Sequence, residues 1–149
     1  MTKREAQKPD LPALLELYRH LNVDPADPIL ELDERITALW DEILSDRNHR
    51  VLLIEADGKP VTTCVLIIVP NLTRGARPYA LIENVVTHPD ARKKGYGKAV
   101  LDYAKEIATA LGCYKIMLMT GRKDEATLRF YENCGYNCGD KTAFIQWFL

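Results

Sequence analysis

The feature that most constrains this chain is residues 81–111, LIENVVTHPDARKKGYGKAVLDYAKEIATAL. It opens as an apolar run of strand type, Leu81-Ile82-Glu83-Asn84-Val85-Val86-Thr87. His88-Pro89-Asp90 ends that strand, because proline has no N–H for a ladder and restricts the residue before it. A basic loop with two glycines follows, Arg92-Lys93-Lys94-Gly95-Tyr96-Gly97-Lys98. Val100, Ala104, Ile107, Ala108 and Leu111 then recur at helical spacing. Strand, basic glycine loop and helix in succession offer backbone N–H groups to an anion. The first helical turn has unpaired donors and a partial positive charge, and glycine lets the backbone approach closely.

The rest of the chain predicts a mixed α/β (α+β) domain around this unit. Residues 2–6 read as a short strand. Asp10 is placed to cap a helix carrying Leu11, Leu14, Leu15 and Tyr18 on one face. After a proline- and aspartate-containing loop at 22–28, Ile36, Leu39, Trp40, Ile43 and Leu44 form the stripe of a second helix. Residues 51–56 and 61–69 are β-rich and are separated by Asp57-Gly58-Lys59-Pro60, a hairpin signal. A polar loop spans 70–78, and Gly112 stands where the helix after the glycine loop should end. Residues 115–120 form another strand. Asp124 caps a helix running to Cys134 with Gly135 as its terminator, and 142–149 close the chain as a final strand. The order is β-α-α-β-β-β-α-β-α-β, one domain over 1–149. Hairpins at the front and a crossover at the back imply a mixed sheet with helices on its faces.

Composition narrows the partners. Formal charge is −1, from 20 basic and 21 acidic residues, so no bulk field favours nucleic acid or a membrane surface. The local cluster Arg92, Lys93, Lys94 and Lys98 suits a small polyanion better than a duplex. The cysteines at 64, 113, 134 and 138 form no metal-binding spacing with one another or with histidine, so no metal is expected and free thiols are. A reducing, cytoplasmic setting fits free thiols. The start of the chain lacks the apolar core of a signal peptide, and no apolar run approaches a membrane span.

Two common phosphate loops can be tested on the letters. A P-loop needs G-x-x-x-x-G-K-[ST], but Arg92 stands at the first glycine and Ala99 follows Gly97-Lys98. A dinucleotide fingerprint needs G-x-G-x-x-G, but Val100 stands at the third glycine. What does match is R/Q-x-x-G-x-G/A after an apolar-E-N-V-V strand. Arg92-Lys93-Lys94-Gly95-Tyr96-Gly97 resembles the acetyl-CoA-binding motif of the GNAT superfamily of N-acetyltransferases. A second stretch, Ala126-Thr127-Leu128-Arg129-Phe130-Tyr131-Glu132-Asn133-Cys134-Gly135-Tyr136, resembles that family's later helix. It departs from the family pattern at Asp124, where asparagine is common, and at Thr127.

The resemblance covers essentially the whole chain. It implies a mixed, mostly antiparallel central sheet of six or seven strands with about four helices, and transfer of an acetyl group from acetyl-CoA to a primary amine of a small molecule or peptide. It further implies that backbone N–H groups over 93–98, with the flanking Arg92, hold the CoA pyrophosphate. Main-chain groups of Val85 and Val86 would pair with the pantetheine arm. Tyr131 would protonate the departing thiolate, or else be a core aromatic beside Phe130. Glu83, the one acid of the central strand, is the candidate base, directly or through water, or else a structural strand residue. His88 reads better as a strand-end residue than as a base. Arg122 and Lys123 could meet the CoA 3′-phosphate or be solvated loop charges. A non-catalytic acyl-CoA-binding regulatory module is the alternative function. The aromatic end with Phe144, Ile145, Trp147 and Phe148 allows either a place in the sheet core or pairing across a homodimer.

Overall fold

A computed structural model describes residues 1–21, 24–28 and 30–148 of the chain. Its contacts divide into two compact units, Met1–Met117 and Leu118–Leu149.

The first unit is built on a five-stranded sheet in the order β1-β2-β3-β4-β5. The strands are β1 (Thr2–Glu5), β2 (His49–Ala56), β3 (Lys59–Val69), β4 (Tyr79–Thr87) and the short β5 (Ile116–Leu118). The first four pair antiparallel with their sequence neighbours. Asp57 and Gly58, at φ 52° and 74°, make the tight turn between β2 and β3. Both must be left-handed in a turn that matches the twist of its strands, which is why aspartate-glycine stands there. β5 enters the sheet beside β4. The Tyr114 N–H donates to the Pro78 carbonyl and the Ala80 N–H to the Lys115 carbonyl, each at 3.0 Å. Both partner numbers rise together, so this pairing is parallel.

Alternate strand residues feed two layers. On one face Val51, Leu53 and Val65 pack with Ala6, with Leu11 and Leu14 of α1 (Leu11–Tyr18), and with Ile36 and Trp40 of α2 (Glu34–Ser45). Residues of the other parity meet α3 (Tyr96–Ala110), where the Cys64 thiol lies 4.0 Å from the Val100 carbonyl. Val100, Leu101, Ala104 and Ala108 are the buried residues of α3. Two of them are alanines, which lets this helix approach the sheet closely. Leu111, expected on that stripe, is instead 42% exposed past the helix end.

The caps show where local signals held and where a stronger partner won. Asp33 caps α2, accepting the Ile36 N–H at 2.9 Å. Asp10 stands at the N-cap of α1 as expected, at the end of a 3-10 turn (Lys8–Asp10), but its side chain makes no cap bond and gives both carboxylate oxygens to Arg4 at 2.7 and 2.8 Å. A bidentate ion pair with arginine outweighs one neutral N–H. The loop expected at 22–28 lies partly outside the described residues.

The second unit contains α4 (Glu125–Asn133), capped by Asp124, which accepts the Thr127 N–H at 3.0 Å. Gly135 follows at φ 95°, a left-handed terminator as its position required. The final strand expected at 142–149 is not formed among the described residues, so the sheet has five strands rather than six or seven. Residues 142–148 carry no regular structure, and Phe144, Ile145, Trp147 and Phe148 are 65–91% exposed. A strand's hydrogen bonds are all to another segment. Alternation and β-propensity in 142–148 therefore express an ability to pair without supplying the partner.

Candidate functional site

The site is built where β4 departs from regularity. Val65 of β3 faces Glu83, and Thr63 faces Val86, so Asn84 and Val85 together stand opposite Cys64 alone. This is a β-bulge, and Asn84 carries its left-handed residue at φ 53°. Asparagine tolerates that region better than the β-branched residues around it. The asparagine beside Val85 and Val86 is the local signal of the bulge, and the apolar pattern alone does not announce it. The bulge sets Glu83 on the α1/α2 face, level with Val65, with its side chain exposed. Asn84 stands within hydrogen-bonding reach of Tyr18 on α1. Burial dominates at Tyr18 and pushes its phenol up to about 12.

β4 has nine residues and β5 three. Because β5 starts level with Ala80, it runs out before the end of β4. The main-chain groups of Val85 and Val86 on that edge therefore lie beyond its last residue. This is a place where an extended ligand could add as a strand.

Beyond β4 the chain turns through a second 3-10 segment (Pro89–Ala91) into the glycine loop. His88 accepts the Asp90 N–H through Nδ1 at 3.2 Å, and its ring meets that of His20 edge-on at 4.8 Å. That is the role of a strand-end residue. Lys93 and Gly95 take left-handed φ values of 62° and 84°, and Gly95 is the N-cap of α3. The backbone N–H groups of Gly95, Tyr96 and Gly97 have no backbone or side-chain acceptor among the described residues. A Cβ on Gly95 would meet nothing within 4 Å. The open space beside these donors is thus of the kind a phosphate oxygen could occupy, which fits a pyrophosphate-bearing ligand.

Three of the basic side chains are engaged within the chain. Arg92 Nε donates to the Thr87 carbonyl at 3.3 Å and Lys94 Nζ to the Asp90 carbonyl at 3.1 Å. Lys98 pairs with Asp102 at 2.6 Å. Arg92 and Lys94 thus bond nearby main-chain carbonyls and Lys98 pairs within α3, while the amides of Gly95, Tyr96 and Gly97 keep no acceptor among the described residues.

In the second unit Tyr131 is half-buried on α4, edge-on to Phe130 at 5.0 Å and to Tyr136 at 6.5 Å. Arg122 is engaged by Asp124 at 3.0 Å, so its charge supports the helix cap. Asp124 keeps its carboxyl below the usual range through its bonds to Thr127.

A groove that sequence reasoning did not find lies between α1, α2 and the sheet. Its volume is about 180 Å³, and its walls include Leu14, Leu15, Leu39, Trp40, Val65 and Asn84. Its residues are scattered over five segments of the chain, so no local pattern announces it. Leu39, expected in the α2 stripe, is 47% exposed at its edge.

A bulged central strand, a glycine loop with outward amides and a helix N-terminus in succession define the class of protein. Residues 12–136 match the acetyltransferase (GNAT) family model, and the chain belongs to that family. It is 31% identical over 144 residues to a glucosamine 6-phosphate N-acetyltransferase of Trypanosoma brucei brucei, covering 93% of this chain and 90% of that one. Among solved structures it resembles a putative acetyltransferase from Agrobacterium tumefaciens, with TM-score 0.90, 46% identity and coverage of 99% and 100%. It also resembles the glucosamine-6-phosphate N-acetyltransferase of Arabidopsis thaliana, with TM-score 0.82, 26% identity and coverage of 99% and 97%. The chain is an acetyltransferase enzyme, an N-acetyltransferase of the GNAT type. Among its described residues no helix is long and apolar enough to cross a membrane.

Proposed function

We propose that this chain, working as one domain over 1–149, transfers the acetyl group of acetyl-CoA to the primary amine of a small molecule or peptide by direct attack in a ternary complex. The observation that carries the reading is the set of outward amides at Gly95, Tyr96 and Gly97, directly after the bulged strand. They would hold the CoA pyrophosphate, with Lys93, Lys94 and Lys98 completing the loop and Arg92 fixing its entry. Val85 and Val86 would pair with the pantetheine arm, and a main-chain N–H there would support the charge that develops on the carbonyl oxygen.

The chemistry assigns the remaining roles. An amine with pKa of about 10 is mostly protonated at pH 7, and freeing it costs roughly 4 kcal/mol. Glu83, exposed and registered across from Val65 of the groove wall, would take that proton directly or through one water. The amine nitrogen forms a bond to the thioester carbonyl carbon, and the carbon–sulfur bond breaks. The thiolate that leaves would take a proton from the Tyr131 hydroxyl, and the second proton of the amine nitrogen, released as the amide forms, would pass through solvent to restore that hydroxyl. No metal enters this scheme. The compartment we propose is the reducing cytoplasm, in keeping with the free cysteines at 64, 113, 134 and 138. The exposed aromatic segment at 142–148 supports a homodimer.

The relatives' printed substrate makes glucosamine 6-phosphate one amine to test. The decisive experiment is thermal denaturation with and without acetyl-CoA, followed by an amine panel read as thiol release. Acetyl-CoA should raise the melting temperature of the wild type. No shift at millimolar acetyl-CoA would remove the glycine loop from the mechanism.

A further inference from the structure

We propose that the groove between α1, α2 and the sheet receives an apolar substituent of the acceptor, so that the acceptor is a primary amine bearing a phenyl-sized hydrocarbon group. The proposal rests on the acetyl-transfer reading above and names the substrate class of that site. Its first support is the lining. Leucines of α1 and α2, Trp40, Val51 and Val65 form the walls, and the polar members are Tyr18, His49, Asn84 and the Trp40 ring nitrogen. The Trp40 N–H is already used, donating to the Lys8 carbonyl at 3.2 Å. Among the described residues no lysine or arginine lines the groove. A phosphate placed there would be desolvated without a cation, which is costly.

The second support is size. An apolar cavity of about 150 Å³ takes up benzene. The groove, at about 180 Å³, matches that hydrocarbon volume. The third is position. Val65 in the groove wall is registered directly across from Glu83, and Asn84 lines the groove itself. Directly opposed residues in an antiparallel pair stand about 5 Å apart at Cβ. A hydrocarbon seated in the groove therefore leaves an amine on a short tether beside the carboxylate proposed as its base. Exposed Leu30 and Leu39, at 44% and 47%, make the entrance apolar as well.

The test compares 2-phenylethylamine, ethylamine and glucosamine 6-phosphate as acceptors with acetyl-CoA, in wild type and Leu39→Glu. Leu39 is exposed on α2, so the substitution leaves the interior intact. Burying the phenyl group should raise kcat/KM for 2-phenylethylamine over ethylamine by about 10- to 100-fold. Leu39→Glu should cut that ratio by about tenfold. Calorimetry of 2-phenylethylamine binding in the presence of CoA gives a readout independent of turnover. Binding in wild type that is weakened in Leu39→Glu supports the groove even if turnover is slow. Absent binding, an unaltered ratio, or glucosamine 6-phosphate as the best of the three amines overturns it. If acetyl-CoA shifts the melting temperature and some amine is acetylated without this preference, only the groove proposal falls. If acetyl-CoA itself does not bind, the transferase reading falls with it.

Discussion

Within Met1–Met117 the apolar side chains of strands and helices share an interior, and Leu52, Leu53 and Ile54 are 0% exposed. Within Leu118–Leu149 no described residue is buried, and Phe144 and Phe148 are each 91% exposed. The two units have similar local signals: capped helices, glycine terminators and β-rich runs. What separates them is whether each apolar face finds another within its own unit. The first is organised by packing. The second is organised by caps and neighbouring rings, as at Asp124 and among Phe130, Tyr131 and Tyr136.

The largest expected effect lies in the first unit. Gly95→Glu would place a side chain and a negative charge beside the outward amides, at a φ of 84° that suits glycine alone. Acetyl-CoA affinity should fall on the order of 100-fold or more, equivalent to about 3 kcal/mol, and the thermal shift should disappear. A retained shift would show that the anion is held elsewhere.

The next tests the second unit's share of the chemistry. Tyr131→Phe should lower kcat by about 10²-fold, the scale of general acid catalysis, with little change in melting temperature. If kcat is unchanged across pH, Tyr131 is packing only, and the comparison becomes one of a working unit and a supporting one.

A third probes the exposed segment. Replacing Phe144 and Trp147 together by aspartate should weaken self-association by at least about tenfold, measured by sedimentation equilibrium. Wild type that sediments as a monomer at all concentrations would break the homodimer reading.

The smallest effect concerns the packing of the first unit. Asp10→Asn removes the bidentate contact with Arg4 and should cost about 1–2 kcal/mol at neutral pH, a few degrees in melting temperature. The sign follows from the carboxyl: its hydrogen bonds to Arg4, the largest influence on it, hold it below the ordinary value of 3.8. Its stabilisation is therefore present above that value and lost as pH falls through the lowered one. Wild type should lose more stability than Asp10→Asn on acidification below about pH 4. Equal loss in the two proteins would show that this pair does not stabilise the folded state.

Much of this molecule was legible in its sequence because the signals involved are local. The glycine loop, the hairpin at Asp57-Gly58, the Asp124 cap and the order of the first nine strands and helices each depend on a few adjacent residues. The bulge at Asn84 was not read, because a bulge exists only relative to a partner strand, and the register with β3 is not written within β4. The position of Asp10 at the N-cap of α1 is legible, but the use of its carboxylate is not, because Arg4, six residues away, binds it more strongly than a helix terminus does. The groove was invisible because its walls come from both helices and three strands. The alternation within 142–149 predicts a strand, but pairing is a property of two segments, and none is formed among the described residues there.

The bulge has one more consequence. With Asn84 inserted, β4 runs half a pleat out of phase on either side of it, so Glu83 and Val86 share a face although three positions apart. A strand of this kind cannot be exchanged with an ordinary one by matching its ends. Deleting Asn84 would restore the simple alternation and turn Val85, Val86 and Thr87 over together, presenting the wrong side of the strand to each layer. A chimera or alignment that treats β4 as regular would thus carry a phase error through its whole second half, and the defect would reach both the packing of Val86 and the main-chain groups offered to a ligand.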